Sequence, residues 1–261
     1  MPSPALNIPS VQHLVSEAEW QMRVDLAAAY RLVALFGWDD LIFTHLTAKI
    51  PCTDFFLINP YGMMFDEITA SSLIKIDLNG TKIMASDFDI NPAGFIIHSC
   101  IHAGRSNAKC VIHVHSVNGI AVSAQVNGLL PISQQAFIVL DSIAYHDYEG
   151  IAVNEGEKPR LVANLGDKKH FMLRNHGLLT VGESVAEAFV AMHKFESACM
   201  VQVRAQAGGE LIHIAPEILA LAGEQLKKVR NGKGAGLAWP GLLRRLDRTN
   251  PGYDSGGERW H

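Results

Sequence analysis

The chain has 261 residues, 48% of them apolar and 18% charged, which fits one globular domain with tails and excludes long disordered protein. A net charge of −4 gives no electrostatic footing for nucleic acid or for an acidic membrane. No run of about 18 apolar residues exists and MPSPALNIPS lacks the n- and h-regions of a signal peptide, so a cytoplasmic, non-membrane chain is expected.

The first 15 residues carry three prolines and read as an extended arm. Ser16 with Glu19 is a capping box, and Val24, Ala28, Leu32, Leu35 and Phe36 keep a helical stripe that Gly37 closes, so a helix is predicted over about 17–36. Residues 41–58, rich in Ile, Phe, Leu and Thr and broken at Pro51-Cys52-Thr53, predict two strands with a tight connection. Asn79-Gly80 is a hairpin signal between strands over 73–77 and 81–85. Asn91-Pro92 starts a helix over 93–104. Lys109 to His115 is a short strand, after which Ser116 caps a helix of small residues to about Gln125.

Residues 131–140 and 143–148 read as strands, 157–165 as a helix, and 170–174 as a buried strand. Ser184 with Glu187 is a second capping box, heading a long helix to Gly208-Gly209. Several neighbouring strands are joined by hairpin-length turns, so the fold class is α/β with a mixed or mainly antiparallel sheet, not a doubly wound nucleotide fold. The organisation expected is an arm over 1–15, one domain over 16–226 and a basic tail over 227–261. That tail is about +5 against −9 for the rest, and Trp239, Leu242, Leu243 and Leu246 mark it for docking on its own subunit or on a neighbour. Cys52, Cys100, Cys110 and Cys199 show no C-x-x-C spacing and read as buried reduced thiols.

Twelve histidines carry most of the functional information. In Val111-Ile112-His113-Val114-His115-Ser116 the two imidazoles are two apart on a strand, so they share a face and can converge on one ion. His176 follows another apolar run, Phe171-Met172-Leu173, in an Asn-His-Gly turn. Three neutral imidazoles suit Zn²⁺ first, and also Mn²⁺, Fe²⁺ or Co²⁺. His98 and His102, four apart on a helix, are a rival pair; Ile97, Cys100 and Ile101 put that helix in the core, where satisfied histidines are the better reading. No G-x-S-x-G, P-loop or G-x-G-x-x-G is present, which leaves hydrolase-elbow and nucleotide-cradle chemistry without support.

The blocks NPAGFIIHSCIHAGRSNAKCVIHVHS, GLLPIS, AYHDYEG, RNHGLLTVGESVAEAF and ACMVQVRAQAGG, in this order, resemble the class II aldolase/adducin family, with wording similar to the adducin head domain. The resemblance runs from about Arg23 to Gly209. It implies a three-layer αβα sandwich with a mainly antiparallel central sheet and a homotetramer. It also implies a divalent metal on His113, His115 and His176, with Tyr145 as proton donor and Tyr148 as a weaker candidate. The family's aldolases carry a further glutamate ligand where this chain has Gly94, and their phosphate pocket corresponds to Thr44-His45-Leu46-Thr47, Tyr61-Gly62 and Pro92-Ala93. His45, Tyr61 and Gly62 are therefore the candidate substrate contacts, for a small molecule without a phosphate. Two readings follow: a metal-dependent aldolase or decarboxylase acting on a hydroxy-carbonyl or carboxylate compound, and a non-catalytic adducin-like module. The long lysine-rich tail of adducins is missing, so actin binding does not carry over with the second reading.

Overall fold

The computed structural model describes residues 6, 8–151, 154–230 and 234–255. A 3-10 turn at Gln12–Leu14 precedes α1 (Glu17–Leu35), whose first turn is capped by Ser16 Oγ accepting from the Glu19 amide at 3.2 Å. Strands β1 (His45–Lys49) and β2 (Phe56–Ile58) follow, and Cys52 in their connection is exposed rather than buried, because that connection runs over the surface. β3 (Ile74–Ile76) leads into the Asn79-Gly80 turn, where Gly80 has φ +81°. The return strand expected over 81–85 shrinks to one bridge between Ile76 and Lys82; β3 is the sheet edge and Ile83 stays 40% exposed, so no burial holds the segment in a ladder.

α2 (Pro92–Gly104), β4 (Cys110–Val114) and α3 (Val117–Ser123) stand where the sequence places them. Residues 131–140 do not form a strand. Ser133 Oγ accepts from the Ala136 amide at 3.0 Å and starts α4 (Gln134–Leu140), which packs against the later long helix and buries Ala136 and Val139, three apart. After β5 (Ile143–His146), α5 (Lys158–Leu165) and β6 (His170–Leu173) comes β7 (Gly177–Gly182), a strand absent from the sequence reading. The remaining elements are α6 (Val185–Gln206), α7 (Pro216–Leu219), α8 (Ala222–Arg230) and α9 (Gly234–Thr249).

The seven strands form one mixed sheet in the order β3-β2-β1-β4-β7-β6-β5, antiparallel throughout except for the parallel β5–β6 pair. Helices α1, α3, α4, α6 and α9 gather on one side, with α6 against β7 and β4; α2 and α5 lie on the other. Alternation along β4 sorts its side chains between these layers: Cys110, Ile112 and Val114 enter the larger core, while Val111 joins Ile97, Ile101 and Leu179 in the smaller one, and His113 shares its face. Trp239 and Leu246 of α9 are buried in the larger core, and Trp239 Nε1 donates to Asp25 Oδ1 of α1 at 3.0 Å, so this part of the tail docks on its own chain. Among the described residues no helix is long and apolar enough to cross a membrane.

Candidate metal centre

Three local devices bring His113, His115 and His176 together. His113 sits one residue inside the end of β4, and its Nδ1 donates to the Leu178 carbonyl of β7 at 3.0 Å. His115, two residues on, lies just past the strand with Nδ1 3.0 Å from Asp40 Oδ2. His176 is in the tight turn between β6 and β7, where Asn175 takes φ +55°. The turn closes on β4 because the next residue is glycine: a Cβ on Gly177 would stand 2.5 Å from the Val114 carbonyl oxygen.

With both outer Nδ1 atoms of His113 and His115 donating, their Nε2 atoms are bare acceptors in the neutral rings. Those two Nε2 atoms are 3.0 Å apart, the His113 and His176 Nε2 atoms 3.3 Å apart, and one ligand atom from each of the three rings lies within 4.8 Å of the others. Burial, reinforced by the neighbouring imidazoles, pushes His113 well below its ordinary value and His176 down to about 4. The bare lone pairs of His113 and His115 repel at this distance, and a cation at the focus of the three rings would turn that repulsion into bonds. The donor set, three converging imidazoles with two outer nitrogens anchored, therefore fits a divalent ion.

A cavity of about 420 Å³ opens over the three rings. His45 and Tyr61 line it, together with Gly94, Asn91 and Tyr148. His45 pairs with His113 across β1 and β4, so both rings stand on the same face of the sheet, 5.5 Å apart between centroids. Gly94 makes room for that arrangement: a Cβ there would lie 2.3 Å from His45 Nδ1. Gly62, at φ +107°, shapes the turn after Tyr61 and is not part of the cavity wall.

Tyr145 is placed away from the cavity. Neighbouring residues on β5 point to opposite faces, and Tyr145 turns toward the larger core, its hydroxyl accepting from the Leu129 amide at 3.2 Å and its ring under the Arg174 guanidinium at 4.5 Å. Tyr148, past the end of the strand, is on the cavity wall with Tyr61, its ring centroid 6.3 Å from that of His176. Asp40 went unnoticed in the sequence, where an acid 75 residues from its histidine partner carries no local signal. His98 and His102 do not form a rival centre; they flank Thr47 Oγ1 at 2.6 and 2.7 Å inside the smaller layer.

A three-layer α/β sandwich with three imidazoles converging at the ends of its central strands defines the class II aldolase architecture. Residues 24–203 match the family model described as Class II Aldolase and Adducin N-terminal domain, and the chain belongs to that family. It is 58% identical over 247 residues to a protein of Pseudomonas aeruginosa placed by name in aldolase class 2, covering 93% of this chain and 95% of that one. The crystal structure of an aldolase II superfamily protein from Pseudomonas syringae superposes with a TM-score of 0.90 at 48% identity, covering 94% of this chain and 99% of the other. Alpha-adducin of Rattus norvegicus is 44% identical over 262 residues, which span 92% of this chain and 34% of the adducin.

Proposed function

We propose that the protein is a metal-dependent carbon–carbon lyase, an aldolase or a decarboxylase, acting on a small non-phosphorylated hydroxy-carbonyl or carboxylate compound. The observation that carries this reading is the convergence of three Nε2 atoms, two of them bare because the outer nitrogens of His113 and His115 are tied to a carbonyl and a carboxylate. His113, His115 and His176 would hold the ion, zinc first by donor type. Once bound, a divalent ion there supplies a Lewis acid that draws electron density from a coordinated carbonyl or carboxylate.

The chain's own groups do the rest. The cavity volume of about 420 Å³ is of the order taken by small-molecule sites. His45 and Tyr61 line the same cavity and can contact the substrate, and the Tyr148 hydroxyl, beside His176, is the phenol that can hand a proton to a new carbanion. Gly94 carries no acid or base. Aldol cleavage needs a group to take a hydroxyl proton, whereas loss of carbon dioxide does not, so Gly94 favours decarboxylation within this class. A homotetramer would cover the apolar rim of the cavity, where Phe43 is 47%, Tyr148 53% and Ile151 75% exposed; sedimentation velocity checks this.

The test is metal analysis of the purified protein. One equivalent of a divalent ion, lost in His113→Ala and in His176→Ala, is expected; an ion content that these substitutions leave unchanged removes the basis of the reading. The similarity to alpha-adducin together with Gly94 favours a second reading, a non-catalytic oligomeric module. Cosedimentation with filamentous actin separates the two: a chain that stays in the supernatant counts against a cytoskeletal role.

A further inference from the structure

A second row of histidines runs inward from the same cavity, and its hydrogen bonds have a fixed direction. His102 Nδ1 is 2.8 Å from the Ala108 carbonyl oxygen, which only accepts, so this nitrogen carries the proton. Burial holds His102 neutral, its pKa down at about 4, so its Nε2 is an acceptor and the hydrogen shared with Thr47 Oγ1 at 2.7 Å comes from the threonine hydroxyl. Thr47 has one hydrogen. Its oxygen must then accept from His98 Nδ1 at 2.6 Å, which leaves His98 Nε2 a bare acceptor.

That atom is buried without a partner, and so are both ring nitrogens of His45, whose ring packs on His98 with centroids 4.3 Å apart. Both histidines are enclosed, at 3% and 1% exposure, and His45 forms part of the cavity wall. Buried polar atoms left unmatched in a native fold are costly and mark a missing partner. Neutral His45 has one N–H to give. Turned to His98, it shows a bare nitrogen to the cavity; left as it stands, the bare nitrogen is that of His98. In either arrangement the row ends in an acceptor.

We propose that His45 and His98 form a second subsite beside the three-histidine centre, one that requires a hydrogen-bond donor from the ligand and so takes an uncharged hydroxyl of the substrate while turning phosphate away. A hydroxyl has the hydrogen to give to the acceptor that ends the row. A phosphate dianion has no hydrogen to give and needs cationic or multiple donors. Among the described residues no lysine or arginine lines the cavity. The inference rests on the reading above that this cavity receives the substrate, and it names the chemistry of the substrate group that meets His45.

The direction of the row is read in the metal-free protein by long-range ¹H–¹⁵N correlation of the histidine rings. His98 and His102 protonated at Nδ1 and bare at Nε2 are expected; His98 protonated at Nε2 overturns the proposal. Zinc-loaded protein is then titrated with dihydroxyacetone and, separately, with inorganic phosphate. The ring nitrogens of His45 or His98 respond to the hydroxyl probe with a preference of about tenfold or more over phosphate. Thr47→Val abolishes that preference and Thr47→Ser keeps it. An equal response to phosphate, or none to dihydroxyacetone, sinks the subsite. Failure of the wild-type protein to bind zinc would instead remove the lyase reading and leave the proton positions to be judged on their own.

Discussion

The two faces of the central sheet are built from the same strands and do opposite work. Toward α1 and α6, β4 presents Cys110, Ile112 and Val114, which pack with Phe189, Phe195 and Met192 into the larger core. Tyr30 is matched there, its hydroxyl donating to the Asn59 side chain at 2.8 Å and accepting from the Leu46 amide at 2.8 Å, while Thr44 Oγ1, of the same strand parity as Leu46, is buried without a protein partner. Toward α2 the alternate residues are His113 on β4 and His45 and Thr47 on β1, and the orphaned ring nitrogens of His45 and His98 are on this side. One face is mainly apolar packing; the other gathers imidazole lone pairs that ask for something from outside. Stability and function are thereby divided by strand parity, and substitutions on the two sides should fail in different ways.

The sharpest way to break the comparison is at the ligands. His113→Ala or His176→Ala should abolish stoichiometric metal binding, a larger loss than the roughly 10- to 100-fold typical of an outer partner, while the circular dichroism spectrum stays native. On the opposite face, Phe189→Ala opens a cavity in the larger core and should cost about 3–5 kcal/mol in urea unfolding with metal content per folded molecule unchanged. Metal loss on Phe189→Ala without unfolding would show that the faces are not separable. Asp40→Asn tests the anchoring of His115: metal affinity should fall by about 10- to 100-fold with ion stoichiometry retained at saturation.

The most gradual effect is acid sensitivity of the metal-free protein. His102 titrates near 4 when folded, against about 6.5 in the unfolded chain, so between these values the unfolded state holds more protons. Stability conferred by keeping the ring neutral is complete above about pH 6.5 and falls as the pH drops toward 4, by about 1.4 kcal/mol per unit for each such histidine. His176, also near 4, follows the same sign. The urea midpoint should decline over this window, and a His102→Gln variant that still folds should decline less steeply. A flat profile contradicts the burial of these rings.

Much of this division can be read from the chain because strand alternation is local. His113 and His115, two apart after an apolar run, announce a shared face, and His176 is marked by a second apolar run ending in Asn-His-Gly. The capping boxes at Ser16 and Ser184 likewise locate the heads of α1 and α6. What escapes is whatever depends on register or long-range packing. His45 meets His113 only because β1 and β4 pair in one particular register, and Gly94 reads as a missing acid until α2 is seen to lay its backbone against the His45 ring. Tyr145 stands off the cavity wall, which a sequence block cannot tell because it does not say which face of β5 its tyrosine takes. Residues 134–140 are an apolar run too short for periodicity to separate helix from strand, and the contact with α6 decides it.

The account turns on three imidazoles holding one ion, and X-ray absorption at the zinc edge of the loaded protein addresses that directly. It should show three nitrogen scatterers at about 2.0–2.1 Å, accompanied by the outer-shell pattern of imidazole rings, with oxygen completing the shell. Sulfur at about 2.3 Å, or a first shell of oxygen without imidazole scattering, would contradict it.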